Sequence, residues 1–488
     1  MTSTPTPAPA GGDLAPVKFS RLARRGVLLG LSALQLAVVG FAAVALVVSL
    51  VVGGMAPAYA APLLFLCAVL VWVRIGGRPL VEWLPIVTVW GRRSATGQLE
   101  HRARIGRPRP AGTLALPGDV ARLRQWVDTD TGAVMVHDPH SATLTAVVPV
   151  THPSFILLDP ADQHRRITGW AKVLATTCRS GNIASVQVLE RTLADSGKGL
   201  ADWWDAHGAR DGSWASRTYS ELIDHAGPTG ERHASTISLA LDVRAAARHV
   251  RAAGGGMRGA AAVLRQEVET LSTALRAADI TPSPMLEPGD LALVLRTAYD
   301  PAVGAALERH GSLGRDLATA GPVSVAESWG HLRSDSSYHC VLWISEWPRS
   351  LVYPGFLAPV LLASGVRRTF TMLFTPVRAD LAARDIRKKK TEYISDAAQR
   401  ARIGQIEDAS QTAEYVDVLQ QEADLTAGHG ILRAVGLVSV SAPSVEELER
   451  AVAAVEQAAI QASCETRRLW GQQAQAFTAA ALPLARQA

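Results

Sequence analysis

Residues 155–160 read FILLDP, four apolar residues and then an acid, the pattern of a strand that carries a magnesium-binding aspartate in nucleotide hydrolases. Such a strand works only with a preceding glycine loop whose amides cradle phosphates, and no G-x-x-x-x-G-K-[ST] occurs in the chain. The nearest fragment, DSGKGL at 195–200, lacks the first glycine and puts Gly199 where the metal-binding hydroxyl belongs. Asp159 therefore reads as a helix cap, with Pro160 at the first helical position. The glycines at 254–256 do not give G-x-G-x-x-G behind a strand and serve as a flexible helix entry. HDPH at 137–140 offers two imidazoles and a carboxylate, but Asp-Pro beside serine and threonine is the chemistry of a hairpin turn.

There is no G-x-S-x-G elbow, no H-E-x-x-H and no Cys-His pairing, so no catalytic, cofactor-binding or metal residue is assigned and the chain reads as non-enzymatic. An enzyme would require the fold to gather scattered residues such as Asp159, His164 and Glu190 into a deep pocket. The candidates for partner docking are Lys388, Lys389 and Lys390, which lie beside Asp385 and Glu392 on a polar helix where a solvated face is the plainer reading. Trp470 and Phe477 join them from the tail RRLWGQQAQAFTAAALPLARQA, 467–488, which reads like the approach to a further module.

The elements that must carry these residues begin with an expected disordered leader, 1–20, rich in Pro, Thr, Ala and Gly. Two uncharged apolar runs, 26–52 and 56–73, then predict a transmembrane hairpin over 21–75. A cleaved signal peptide would explain AYA at 58–60, but the first run is far longer than a signal h-region. Lys18, Arg21, Arg24 and Arg25 before the hairpin, and Arg74, Arg78, Arg92 and Arg93 after it, place both termini in the cytoplasm of a bacterium. Residues 76–118 read as a basic interfacial linker in which Trp83, Trp90 and the arginines at 74, 78, 92 and 93 meet anionic lipid. Those arginines would also suit nucleic acid, yet a net charge of +5 with no repeated basic and aromatic pattern gives no direct nucleic-acid signal. The four cysteines are far apart and form neither a disulfide framework nor a zinc cage.

The body predicts an α/β (α+β) fold of two βαβ-rich cytosolic lobes, 119–330 and 331–488, because the alternation of strand and helix occurs twice. In the first lobe, 142–158 supplies strand, and the next helix puts Ile167, Trp170, Ala171, Leu174 and Cys178 on one face. STISLALDV at 235–243 alternates like a half-buried strand, followed by a helix with Leu264, Val268, Leu271 and Leu275 inward. The second lobe runs through strands at 337–348, 368–376 and 431–443, with a protruding helical arm at 378–427. Ser444 and Glu447 form a capping box before a helix that turns Leu448, Val452, Val455 and Ala459 inward.

In this order FILLDPADQHRRITGWAKVLA, SVQVLERT, STISLALDV, MLEPGDLALVLRTAYDP, YHCVLWISEWPRSLVYPGFLAPVL and WGQQAQAFTAAALPLAR resemble the non-motor, amino-terminal half of the type IV secretion and conjugation assembly ATPases, VirB-type and TraC-like. The resemblance implies an actinobacterial, motor-less version fused to a membrane hairpin. Its function would be to dock a separate Walker-motif ATPase within a homo- or hetero-oligomeric machine. A second resemblance, to core membrane components of type VII secretion systems, rests on two amino-terminal spans joined to a cytosolic α/β body.

Overall fold

The computed structural model describes residues 31–104, 106, 112–209, 211–226, 230–311, 314–403, 409–427 and 430–486. The expected leader and the first residues of the first apolar run lie outside the described residues. Among the described residues the chain divides into an anchor unit, 31–99 with 470–472, and a sheet unit, within 100–469 with 473–486.

The anchor unit contains α1 (Ala33–Val52), α2 (Ala56–Trp72), β1 (Arg74–Ile75), β2 (Arg78–Pro79) and α3 (Leu80–Ala95). Ser32 starts α1 with a full capping box, its hydroxyl taking the Gln35 N–H while the Gln35 amide oxygen takes its own. The turn between α1 and α2 uses Gly53 and Gly54, both at positive φ. Gly76 and Gly77, at φ of 59° and 75°, make the two-residue turn that pairs β1 with β2.

The sheet unit carries β3 (Glu100–Arg102), β4 (Arg124–Val127), β5 (Val134–Asp138), β6 (Thr143–Thr151), α4 (Pro160–Arg179), β7 (Ile183–Ala194), α5 (Lys198–His207), α6 (Trp214–Ala226) and β8 (Glu231–Asp242). Then come α7 (Ala247–Ala252), α8 (Gly256–Arg276), β9 (Thr281–Pro282), α9 (Pro288–Tyr299), α10 (Gly304–His310), β10 (Ser324–Glu327), β11 (Leu332–Ser334) and β12 (Ser337–Glu346). The chain finishes with α11 (Ala358–Leu361), β13 (Arg367–Val377), α12 (Ala379–Ile403), α13 (Ala409–Thr426), β14 (Ile431–Ala442), α14 (Val445–Gln461), β15 (Glu465–Arg468) and α15 (Gln473–Ala481).

One sheet joins the two expected lobes, with strand order β3-β10-β11-β12-β14-β13-β7-β8-β6-β5-β4, while β15 pairs with β12 and β9 with β6. Every described ladder is antiparallel, which corrects the βαβ expectation. The physical reason is that β8 inserts between β6 and β7, and β14 between β12 and β13, so each helical crossover joins parallel strands that never touch.

The order also shows a duplication. A three-strand meander, a crossover helix, a strand, a helical pair, an inserted strand, a long helix, a short strand returning to the third meander strand and a closing helix occur in β4–α9 and again in β10–α15. The halves meet where β13 lies antiparallel to β7, from Thr369 opposite Arg191 to Phe374 opposite Val186, as a two-fold axis normal to the sheet requires. The two halves close on one continuous sheet.

One sheet face is covered by α4 and α8 in the first half, through Leu144, Val148, Val186, Ile237, Leu239, Leu264 and Leu275. In the second half the same face is covered by α14, through Leu342, Val438, Val440, Leu448 and Val455. Each large aliphatic side chain so buried contributes about 2 kcal/mol. The inward residues expected on α8 and α14 are buried, whereas α4 is rotated from expectation: Val173 and Thr177 are buried and Ala171 is exposed. The opposite face packs on α9 and α15, through Val136, Val147, Leu291, Leu295, Tyr299, Phe477 and Leu482.

Two further expectations change. The strand expected to 158 ends at Thr151, and FILL is a turn with Ile156 and Leu157 exposed, so the strand needed for an aspartate of the nucleotide-hydrolase type is not there. The strand expected to be half buried, β8, is buried on both faces from Thr236 to Leu241.

Candidate membrane anchor and docking surfaces

Helix α1 has 20 residues, about 30 Å of rise, and no charge, which is long and apolar enough to cross a bilayer. Its side chains Phe41, Val44, Val47, Val48 and Val51 are exposed, Val51 at 81 %. A contiguous apolar stripe of this kind is not left in water, and acyl chains would cover it. Helix α2 is shorter, 17 residues with Pro62 inside, and exposes Phe65, Leu66 and Trp72. The two helices pack together, and the buried Gln35 amide donates to Val71 O at 3.0 Å, so this polar side chain is satisfied without water, as a lipid setting demands.

The six residues expected at the headgroup boundary fall on β1, β2 and α3. Arg74 and Arg78 stand on the two short strands, and the Trp83 indole N–H donates to Ile75 O at 3.2 Å. Trp83 and Trp90 are half-buried on α3, while Leu84 and Val87 are exposed one turn apart. Arg92 and Arg93 close the last turn, where cations suit the helix dipole.

The docking candidates separate. Lys388 pairs with Glu392 at 3.7 Å, Lys389 with Asp385 at 2.9 Å, and Lys390 reaches from α12 to Glu422 of α13 at 2.7 Å. The hydrogen bond that Lys390 donates to Glu422 also raises the Lys390 pKa. Each ammonium thus faces a carboxylate, and the run carries less uncompensated positive charge than its letters suggest. Trp470 is half-buried. Phe477, expected on a docking surface, is fully buried, with its ring 5.0 Å from Tyr299 and 4.6 Å from His339. This correction has a simple cause: the tail belongs to the core.

That seating uses polar side chains from the middle of the sheet. The Gln187 amide donates to Ala479 O and Leu482 O, each at 3.0 Å, and accepts the Ala485 N–H at 2.7 Å. Ser185 donates to Ala485 O, Ser238 to Pro483 O and Thr371 to Ala480 O at 2.6, 2.9 and 2.7 Å. Arg486 lies 3.2 Å from Asp119 and 3.5 Å from Asp138. Asp138 ends β5 and takes the His140 N–H, so HDPH is turn chemistry as expected; burial opposes its charge, but His140, Arg486 and Arg122 outweigh it and hold the pKa below the usual range. The same sheet face also seats the end of α9, where Ser334 and His339 both reach Tyr299 O and Arg191 bonds Val294 O and Thr297. Sequence reading missed these side chains. Their only signal is a scatter of polar residues along one face of otherwise apolar strands, which looks like a solvent face.

The residues named for an enzyme do not converge. Among the described residues no hydrogen bond or ion pair joins Asp159, His164 and Glu190; Glu190 instead accepts from Ser235 and lies 3.3 Å from His233. DSGKGL forms the turn from β7 into α5 and borders a cavity of about 310 Å³ lined by Lys198, Arg232 and Arg315 together with Asp195, Asp202 and Glu308. Arg232 is paired with Glu308, and Arg315 with Asp290, so the cavity has no uncompensated positive charge from these arginines. Among the described residues no cluster of three His, Cys, Asp or Glu could hold a metal ion.

Two helical pairs project at equivalent points of the duplication, α5–α6 between β7 and β8, and α12–α13 between β13 and β14. Only the second was expected. Each is tied by an aromatic pair, Trp204 with Tyr219 at 4.6 Å and Tyr393 with Tyr415 at 4.1 Å. Each leaves apolar residues exposed, Trp203, Trp214 and Leu222 on the first and Ile394, Val416 and Leu419 on the second.

An apolar amino-terminal helix and a duplicated antiparallel sheet with two helical pairs define a mixed α/β protein carrying a candidate membrane anchor. Residues 229–344, about a quarter of the chain, match the family model described as "EccE: Putative type VII ESX secretion system translocon, EccE". No curated protein matches the chain. The match overturns the resemblance to the type IV assembly ATPases and falls on the second resemblance instead. It runs from the start of β8 through β12, across the junction of the two halves.

Proposed function

We propose that this chain is a non-catalytic, membrane-anchored component of a type VII secretion translocon, held by α1 and α2 in the bacterial cytoplasmic membrane. The match over residues 229–344 carries this reading. Two spans with both termini cytoplasmic follow from the arginines at 74, 78, 92 and 93 behind an uncharged hairpin, and these same arginines with Trp83 and Trp90 meet anionic headgroups. The exposed side chains of α5–α6 and α12–α13 meet other subunits of the translocon. The reaction that drives transport belongs to a partner.

The test is affinity purification of the full-length chain from its own membranes in mild detergent, followed by mass spectrometry. Type VII membrane subunits are expected, and their loss on Trp203→Ala with Trp214→Ala would assign the first helical pair to that contact. Recovery of a different secretion machine, or of the chain alone, overturns the reading.

A further inference from the structure

The two helical pairs carry the opposite charge to the chain around them. Residues 198–226 hold three Lys and Arg against five Asp and Glu, a net of −2, and residues 379–426 hold seven against ten, a net of −3, in a chain of +5 that therefore carries +10 elsewhere. The duplication places both acidic pairs at equivalent points, and both expose apolar side chains there.

On the first pair the two features coincide. Asp202, Asp205, Asp211, Glu221 and Asp224 are all exposed; Asp202 adjoins Trp203 in the chain, and Glu221 adjoins Leu222. Among the described residues of this pair the cations are Lys198 and Arg217, and Lys198 lies 4.0 Å from Asp202. The Ser213 N–H donates to Asp211 and holds that carboxyl below the usual range, so it is charged at neutral pH. Trp203 and Trp214 are 54 % and 74 % exposed, and the Trp203 ring stacks on His207 one turn along α5 at 5.0 Å. Ile223 is buried, and the Trp204 indole N–H donates to Ser220 Oγ at 2.9 Å, which fixes α5 against α6. A surface so fixed loses little freedom when a partner covers it, and tryptophan is among the residues that dominate the energy of an interface.

A bilayer surface also takes up exposed tryptophan, but the segments that bind there bring Lys and Arg to anionic headgroups. A net negative segment is repelled by such a surface, whereas a positive protein segment is drawn to it and oriented by it. We propose that α5–α6 docks a net positive segment with apolar anchors, carried by another membrane subunit: its Lys and Arg meet the five carboxylates while its apolar side chains cover Trp203, Trp214 and Leu222. The inference rests on the proposed role in secretion only for the machine that supplies the subunit.

The experiment uses the full-length chain in its own membranes, with the photoreactive residue p-benzoylphenylalanine placed at 203, 214 or 222, one position at a time. After illumination the crosslinked peptide is sequenced by mass spectrometry. The expected product is a peptide of another membrane subunit in which Lys and Arg outnumber Asp and Glu. Its yield should fall by about fivefold or more in the variant Asp202→Asn, Asp205→Asn, Glu221→Gln, Asp224→Asn, and the parent's yield should fall when salt is raised, a control that needs no substitution in the acidic surface. A lipid adduct, a second copy of this chain, a neutral or acidic peptide, a yield insensitive to both charge and salt, or no product at any of the three positions overturns the proposal. A basic peptide from a subunit of some other machine leaves the docking inference standing and overturns the secretion reading instead.

Discussion

Gln187→Leu keeps the volume of the side chain and removes every hydrogen bond it makes to the tail. Three bonds are lost, to Ala479 O, Leu482 O and Ala485 N. Leu482 O keeps a second partner in the Leu484 N–H at 2.8 Å, so the groups left short are the Ala485 N–H and Ala479 O. Each buried group without a partner costs about 1–3 kcal/mol, so the variant should lose about 3 kcal/mol of tail attachment. If the tail can lift alone, amide exchange over 479–485 accelerates by about two orders of magnitude, since 1.4 kcal/mol is a factor of ten. If the tail opens only with the whole sheet unit, the loss shows as a melting temperature lower by about 4 °C, taking about 2.1 cal/mol/K for each of roughly 380 residues. Hydrogen-exchange mass spectrometry and a thermal melt on one preparation distinguish the two. The absence of both an exchange change above threefold and a melting shift above about 1 °C would refute the assignment of Gln187 as the residue that holds the tail.

Three shorter predictions use other parts of the molecule. Val44→Arg with Val48→Arg puts two charges on the exposed face of α1 and should cost about 6 kcal/mol of insertion, moving the chain out of the carbonate-resistant membrane fraction; an unchanged fraction means that α1 does not span. Gly321→Ala would set a Cβ 1.5 Å from Ala115 O, a backbone atom, so a loss above about 3 kcal/mol in a denaturant melt is expected and a neutral result contradicts the packing there. His339 is fully buried, and burial lowers its pKa to about 4 despite the Tyr299 carbonyl and Asp300. A neutral folded imidazole, with an unfolded one titrating near about 6.5, makes stability fall as pH drops from about 6.5 to about 4, by about 3 kcal/mol in all. His339→Gln should flatten that slope relative to the parent, and an unaltered slope assigns it to other groups.

What could be read from the letters was local. The candidate membrane helix α1 was legible because an uncharged run has few alternatives, and α14 because Ser444 and the spacing of Leu448, Val452 and Val455 agree; in the structure Ser444 accepts the Glu447 N–H at 3.2 Å. The duplicated order of elements was also visible. Strand direction and pairing were not, because alternation of strand and helix is the same for touching parallel strands and for strands with a third inserted between them. The first helical pair, α5–α6, escaped because 198–226 has no long polar run to mark it, unlike 379–426. The seat of the tail was hidden for a deeper reason. Gln187, Ser238 and Thr371 each sit at the polar position of a strand, and the sequence gives no sign that a backbone 100 to 300 residues away in the chain, at 480–485, replaces water there.

The same point explains how the type IV resemblance went astray. Its strongest strings, STISLALDV, MLEPGDLALVLRTAYDP and YHCVLWI, lie in or against 229–344, the stretch that matches the type VII family model. Each string is what a strand or helix buried on two sides must look like, so each fits many sheet proteins equally well. The polar residues between them are more discriminating. His339 in YHCVLWI meets Tyr299 O from the end of MLEPGDLALVLRTAYDP, and Ser238 in STISLALDV meets Pro483 O, so the strings are matched to one another by single hydrogen bonds inside an apolar core. A buried polar group without its partner costs more than a buried methyl displaced, so these pairs constrain which sequences can share the fold far more than the apolar runs do. A relative of this chain is therefore better recognised by a polar residue at the positions of Gln187, Ser238 and His339 together than by the hydrophobic pattern around them.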